Sequence, residues 1–110
     1  MSLTLRTDLG CTEAVLLDDG NLHHFYQVAS ILSDDMRLSF VSKQDEFDAI
    51  SWDFKYKGHP LTLQYSIYNG ITVFPTRTRQ AANKENKAVE ELAGLLLGKM
   101  SGLSPQKNIA

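Results

Sequence analysis

Period-two alternation dominates the middle of the chain: Ile50, Trp52, Phe54 and Tyr56 interleave with Ser51, Asp53, Lys55 and Lys57, and Leu61, Leu63, Tyr65 and Ile67 interleave with Thr62, Gln64, Ser66 and Tyr68. Successive side chains of a strand point to opposite faces, so each run predicts a strand with one apolar and one polar face. Lys57-Gly58-His59-Pro60 separates the runs, and because Gly supplies an unusual φ while Pro cannot donate to a ladder, the predicted link is a four-residue loop. That loop sets Tyr56 opposite Leu61, Phe54 opposite Leu63, Trp52 opposite Tyr65 and Ile50 opposite Ile67, apolar beside apolar throughout.

The next link has two readings. A two-residue type I′ turn at Asn69-Gly70 would put the apolar residues of the following strand on the wrong face. A three-residue loop Tyr68-Asn69-Gly70, with Gly70 left-handed in a bulge, pairs Ile67 with Ile71 and Tyr65 with Val73, and this is the register we expect.

Elsewhere the period lengthens. Leu22, Phe25, Tyr26, Ala29 and Leu32 follow helical spacing between Asn21 and Ser33, with Asp19 or Asn21 placed to cap the first turn and Asp34-Asp35 at the end. Met36 to Ser42 then reads as a strand with Leu38 and Phe40 inward, and Lys43 to Asp48 as a charged loop. After Phe74-Pro75, the polar stretch Thr76 to Arg79 opens a long helix to about Met100, with Ala88, Val89, Leu92, Ala93, Leu95, Leu96, Leu97 and Met100 apolar. Leu3 to Leu9 alternates weakly and Thr12 to Leu17 more clearly, for one or two N-terminal strands. The order β-α-β-β-β-β-α predicts an α+β, two-layer sandwich: a mainly antiparallel sheet of four to five strands with two helices on one face. Residues 1–100 are expected to form a single domain and 101–110 a flexible C-terminal tail.

Composition narrows the function classes. With 110 residues, 43% apolar and 22% charged, the chain is globular, and a net charge of −2 gives no electrostatic help toward nucleic acid or an anionic membrane. The single Cys11 can form neither an internal disulfide nor a thiolate metal cage, which fits a reducing cytoplasm. No apolar signal core opens the sequence and the run Leu95-Leu96-Leu97 is far too short to span a bilayer, so the expected location is cytoplasmic.

Catalytic signatures are not apparent. His23 and His24 are adjacent on the first helix and point about 100° apart, so they cannot chelate one ion as an i, i+4 pair does. Asp18, Asp19 and His23 make at most a weak ligand set, and capping accounts for the aspartates more simply. His59 falls in a Gly-His-Pro turn with no acidic or nucleophilic partner near in sequence, Asp45, Glu46 and Asp48 read as a solvated loop, and no Gly-x-Ser-x-Gly elbow occurs. The expectation is a non-enzyme with no catalytic residue, no metal and no cofactor.

Two surface features carry the functional reading. Thr76, Arg77, Thr78 and Arg79 at a helix start combine hydroxyls, guanidiniums and free backbone N–H groups that can hold a phosphate or carboxylate, and Lys84 and Lys87 extend the positive charge before Glu85, Glu90 and Glu91 offset it. Gly94, Gly98 and Gly102 stripe the last helix, whose apolar arc is wider than one sheet requires, while Tyr68, Phe74 and Val41 fall outside the main apolar set. Tyr68, Phe74, Gly94, Leu97 and Gly98 are therefore the interface candidates. The chain reads as a non-catalytic protein–protein interaction module, a homodimer or an adaptor-, chaperone- or immunity-like protein; the alternative is a small domain binding an anionic ligand near Thr76–Arg79.

Overall fold

The computed structural model describes residues 4–8, 11–18, 21–46, 48–76 and 83–100. Within them the order is β1 (Thr4–Asp8), β2 (Cys11–Leu17), α1 (Leu22–Ser30), β3 (Phe40–Asp45), β4 (Ala49–Tyr56), β5 (His59–Ser66), β6 (Gly70–Pro75) and α2 (Asn83–Met100). The class is α+β, as expected, but the sheet has six strands rather than four to five, in the order β1-β2-β6-β5-β4-β3, antiparallel at every pairing. The addition is at the N-terminus: weak alternation there still supports an edge strand, because β1 has β2 to pair with along its whole length. An exposed ion pair, Arg6 to Glu13 at 2.7 Å, joins two residues directly opposite in that hairpin.

Register departs from expectation in one consistent way. The β4–β5 link is a two-residue turn, Lys57-Gly58, with φ of 52° and 83°, the left-handed pair of a type I′ turn. Tyr56 therefore faces His59, Phe54 faces Leu61, Trp52 faces Leu63 and Ile50 faces Tyr65, a shift of two residues from the four-residue loop. A slip of two preserves faces, so the inward set survives while every partner changes. Pro60 is compatible with the tighter turn. Its carbonyl accepts from Thr76 N at 3.0 Å, so its nitrogen also faces β6, at the last rung, and the missing donor costs β4 nothing.

The same shift runs through the next link. The loop is Ile67-Tyr68-Asn69, closed by Ser66 opposite Gly70, and Tyr65 pairs with Ile71 and Leu63 with Val73. Gly70 is left-handed as expected, at φ 74°. Only glycine fits there, since a Cβ would overlap the Leu17 carbonyl oxygen and lie 2.8 Å from the Asp18 carbonyl.

One core joins a single face of the sheet to both helices: Ala14, Leu16, Phe54, Leu61, Leu63, Ile71 and Val73 pack with Phe25, Val28, Ala29 and Leu32 and with Val89, Leu92, Ala93 and Leu96. The buried stripe of α1 is thus centred on Phe25, Val28 and Ala29 rather than on Leu22 and Tyr26, which stay 40% and 46% exposed. Asn21 caps this helix, its side chain accepting from His24 N at 3.0 Å while its own N–H donates to His24 Nδ1 at 3.2 Å. The α-helix gives way after Ser30 to a π-helical turn over Ile31–Asp35, so the helical segment ends at Asp34-Asp35 as expected, with Met36 N bonding Ile31 O and Leu38 N bonding Leu32 O. With its backbone spent there, and Arg37 left-handed at φ 58°, the segment from Met36 cannot begin a strand; β3 starts at Phe40 and takes in Lys43 to Asp45, expected as loop. Lys99 of α2 pairs with Asp35 at 2.9 Å, fastening the end of that turn to the last helix.

Candidate functional site

Thr76 is exposed, but its N–H donates to Pro60 O at 3.0 Å and its hydroxyl shares a 2.9 Å hydrogen bond with Thr62, which also donates to Asp53 at 2.7 Å. Both groups of Thr76 are therefore engaged inside the sheet, while Arg77, Thr78 and Arg79 lie outside the described residues. His23 is exposed on α1, His24 is committed to its capping box, and His59 is half-buried as the first residue of β5 rather than part of an exposed turn. Of the weak ligand set, Asp18 is exposed and Asp19 lies outside the described residues; among those residues no group of three or more His, Cys, Asp or Glu comes together. Cys11 is buried.

Interface candidates from the sequence do not converge. Tyr68 stands at the β5–β6 turn and Phe74 near the opposite end of β6, half-buried beside Thr62 on the face without helices. Gly94 and Gly98 are exposed on α2, and a Cβ at either would meet nothing within 4 Å, so the glycine stripe is not seated on a neighbouring backbone; Gly102 lies outside the described residues. Leu97 is half-buried against the molecule's own core, and Leu95 is the exposed leucine of that helix, at 46%.

Trp52 is the centre of an aromatic cluster at the β3–β4 edge. Phe25, Phe40 and Tyr26 pack on it at 5.1, 5.0 and 5.8 Å between ring centres, mostly edge to face, and Lys43 from the opposed position on β3 sits 4.2 Å over its ring. It is half-buried, with its indole Nε1 buried and unpartnered. This cluster is packing, reinforced by a cation that also blunts an edge strand already irregular between Phe40 and Ser42.

The two ends of β5 each hold a fixed turn at the surface, and their side chains differ. At one end Tyr56 donates a hydrogen bond to Glu91 on α2, and Lys57 pairs with the same carboxylate oxygen at 2.6 Å. The Lys57 and Tyr56 hydrogen bonds hold the Glu91 carboxyl below its ordinary value; burial, then Glu91, raise the Tyr56 phenol, and Glu91 raises Lys57. At the other end the turn Ile67-Tyr68-Asn69 presents Ile67 and Tyr68 62% and 75% exposed. Its backbone is nevertheless held: Ile67 N donates to Asp48 O at 3.4 Å, Tyr68 N to Ser66 Oγ at 3.1 Å, and Gly70 lies against the end of β2. Ile67 was expected on the inward face, and Asp18 and Asp48 were not associated with it. Taking Lys57-Gly58 as the tighter turn would have moved Ile67 out of the strand and into this tip.

A family model described as "Protein of unknown function (DUF3630)" matches residues 7–97. No curated protein and no solved structure matches the chain.

Proposed function

The chain belongs to this family, and we propose that it is a non-catalytic protein-interaction module that acts by surface contact with another protein chain and carries no cofactor. The observation that supports this is the β5–β6 turn, where an isoleucine and a tyrosine stand more than half exposed on a backbone fixed by hydrogen bonds. Turns are ordinarily filled by small polar residues. Tyrosine, apolar in body and polar at its tip, is among the side chains that concentrate binding energy at interfaces. In this reading the molecule is a two-layer sandwich working in the cytoplasm, its helices occupying one face of the sheet and contact being made at the remaining surface. No helix among the described residues is long and apolar enough to cross a membrane.

Sedimentation of the native chain across micromolar concentrations, together with affinity capture scored against an Ile67→Ser/Tyr68→Ser control, tests the reading. Self-association, or a protein retained by the native chain and not by the control, is the expected result. A chain that stays monomeric and retains nothing in preference to the control would remove its support.

A further inference from the structure

We propose that the turn Ile67-Tyr68-Asn69 and its acidic flanks dock a basic segment of a partner protein, one that sets an apolar side chain on Ile67 and Tyr68 between lysine or arginine residues. This rests on the interaction reading above and adds the place and the chemistry of the partner.

Acidic residues flank the apolar tip on both sides. Asp48 is hydrogen-bonded through its carbonyl to Ile67 N, and Asp18 follows the Leu17 carbonyl that abuts Gly70. Asp45 and Glu46, both exposed, continue the acidic side from the end of β3 into the turn before Asp48. Among the described residues none of these four takes part in an ion pair, whereas Glu13, Asp35 and Glu91 each hold a cation. Unpaired like charges gathered at one end of a domain build a negative potential there, which attracts and orients a cationic partner. The held backbone of the turn reduces the ordering cost of binding.

Two rival occupants fit less well. Adding a strand to β3 would have to pass an edge broken by the irregularity at Val41 and carrying Lys43, both features that discourage edge pairing. A second copy that met these carboxylates with its Lys55, at the opposite end of β4, would make a head-to-tail contact that does not close on itself. A different, basic protein segment satisfies both the charge and the apolar tip.

The probe is a displayed library of random 12-residue peptides, selected on the native chain; the selected peptides are then measured by fluorescence anisotropy against native, Tyr68→Ser and Asp18→Asn/Asp48→Asn proteins. Lys- or Arg-rich peptides bearing an apolar residue should be enriched, bind at least about tenfold more weakly to Tyr68→Ser, and associate more slowly with the double variant and at raised salt. Circular dichroism and melting of each variant establish that it is folded. Neutral or acidic winners, or winners that bind Tyr68→Ser as well as native, overturn this site while leaving the interaction reading standing. No enrichment overturns the proposal as well; if sedimentation then shows self-association abolished by Tyr68→Ser, the occupant is a second copy, and if it shows none, the interaction reading falls with it.

Discussion

Strand β5 has a turn at each end, and the two are built on opposite plans. At Lys57-Gly58 the flanking tyrosine is buried, its hydroxyl and the lysine both reach Glu91, and the turn is tied to α2. At Ile67-Tyr68-Asn69 the apolar side chains point out, the adjacent carboxylates pair with no cation among the described residues, and backbone contacts together with the Ser66 hydroxyl fix the loop. One turn spends its side chains on the fold. The other spends its backbone on the fold and leaves its side chains for something else, which is the arrangement expected of a contact surface rather than of a support.

The glycines that close the two turns give the largest test of this difference. Gly58 and Gly70 are both left-handed, so alanine costs about 1–2 kcal/mol at either from the backbone alone. At Gly58 nothing lies within 4 Å of the new methyl, and the cost should end there. At Gly70 the methyl meets the Leu17 and Asp18 carbonyls, and pushing back the end of β2 adds about 1–3 kcal/mol. Urea denaturation of the two variants should therefore show Gly70→Ala well below Gly58→Ala. Equal midpoints would mean that the second turn is not held by β2, and the contrast between the turns would lose its basis.

Next in size is the helix-tied turn. Tyr56→Phe removes one hydrogen bond to a charged acceptor and should cost about 1 kcal/mol. The ionisation behaviour has a definite sign. Glu91 titrates below its ordinary value, so its contribution is fully present above the ordinary carboxylate range and disappears as pH falls through the lowered folded value. Tyr56 and Lys57 titrate above theirs, so their contribution is present below pH 10.0 and is lost as pH climbs through the raised folded values. Stability measured against pH should fall off at both limbs in the native chain, and Glu91→Gln should remove the Glu91 contribution to the acid limb and weaken the alkaline limb in part, because burial still raises the Tyr56 phenol. A Glu91→Gln profile that parallels the native one would show the three groups acting independently.

How far the two turns were legible in the sequence differs for a physical reason. Strand periodicity fixes faces and is blind to a slip of two, so Phe54, Leu61, Leu63, Ile71 and Val73 were placed inward correctly while every cross-strand partner was misassigned. Ile67 was the exception. It lies at the strand end, where the same slip turns a core residue into a loop tip, and no local signal separates the two outcomes. The glutamate that binds Tyr56 lies 35 positions away on a helix, and its nearness to the turn is a property of packing alone. Helix geometry is readable as far as propensity governs it: a cap at Asp19 or Asn21 is expected and Asn21 supplies it, whereas the π-helical continuation after Ser30 is not, because nothing in Ile31–Asp35 marks a change of hydrogen-bond spacing.

The smallest effect is the most informative about function. Ile67→Ser and Tyr68→Ser each remove an exposed side chain from a turn whose hydrogen bonds are made by backbone atoms and by Ser66, so both should change stability by less than about 0.5 kcal/mol. Two large apolar side chains left mostly in solvent carry a cost in solubility, and that cost is explained if a partner covers them. Melting temperatures of the single variants and the double variant check this directly. A drop comparable to that of Tyr56→Phe would show that the tip supports the fold after all, and the two ends of β5 would then differ in chemistry but not in purpose.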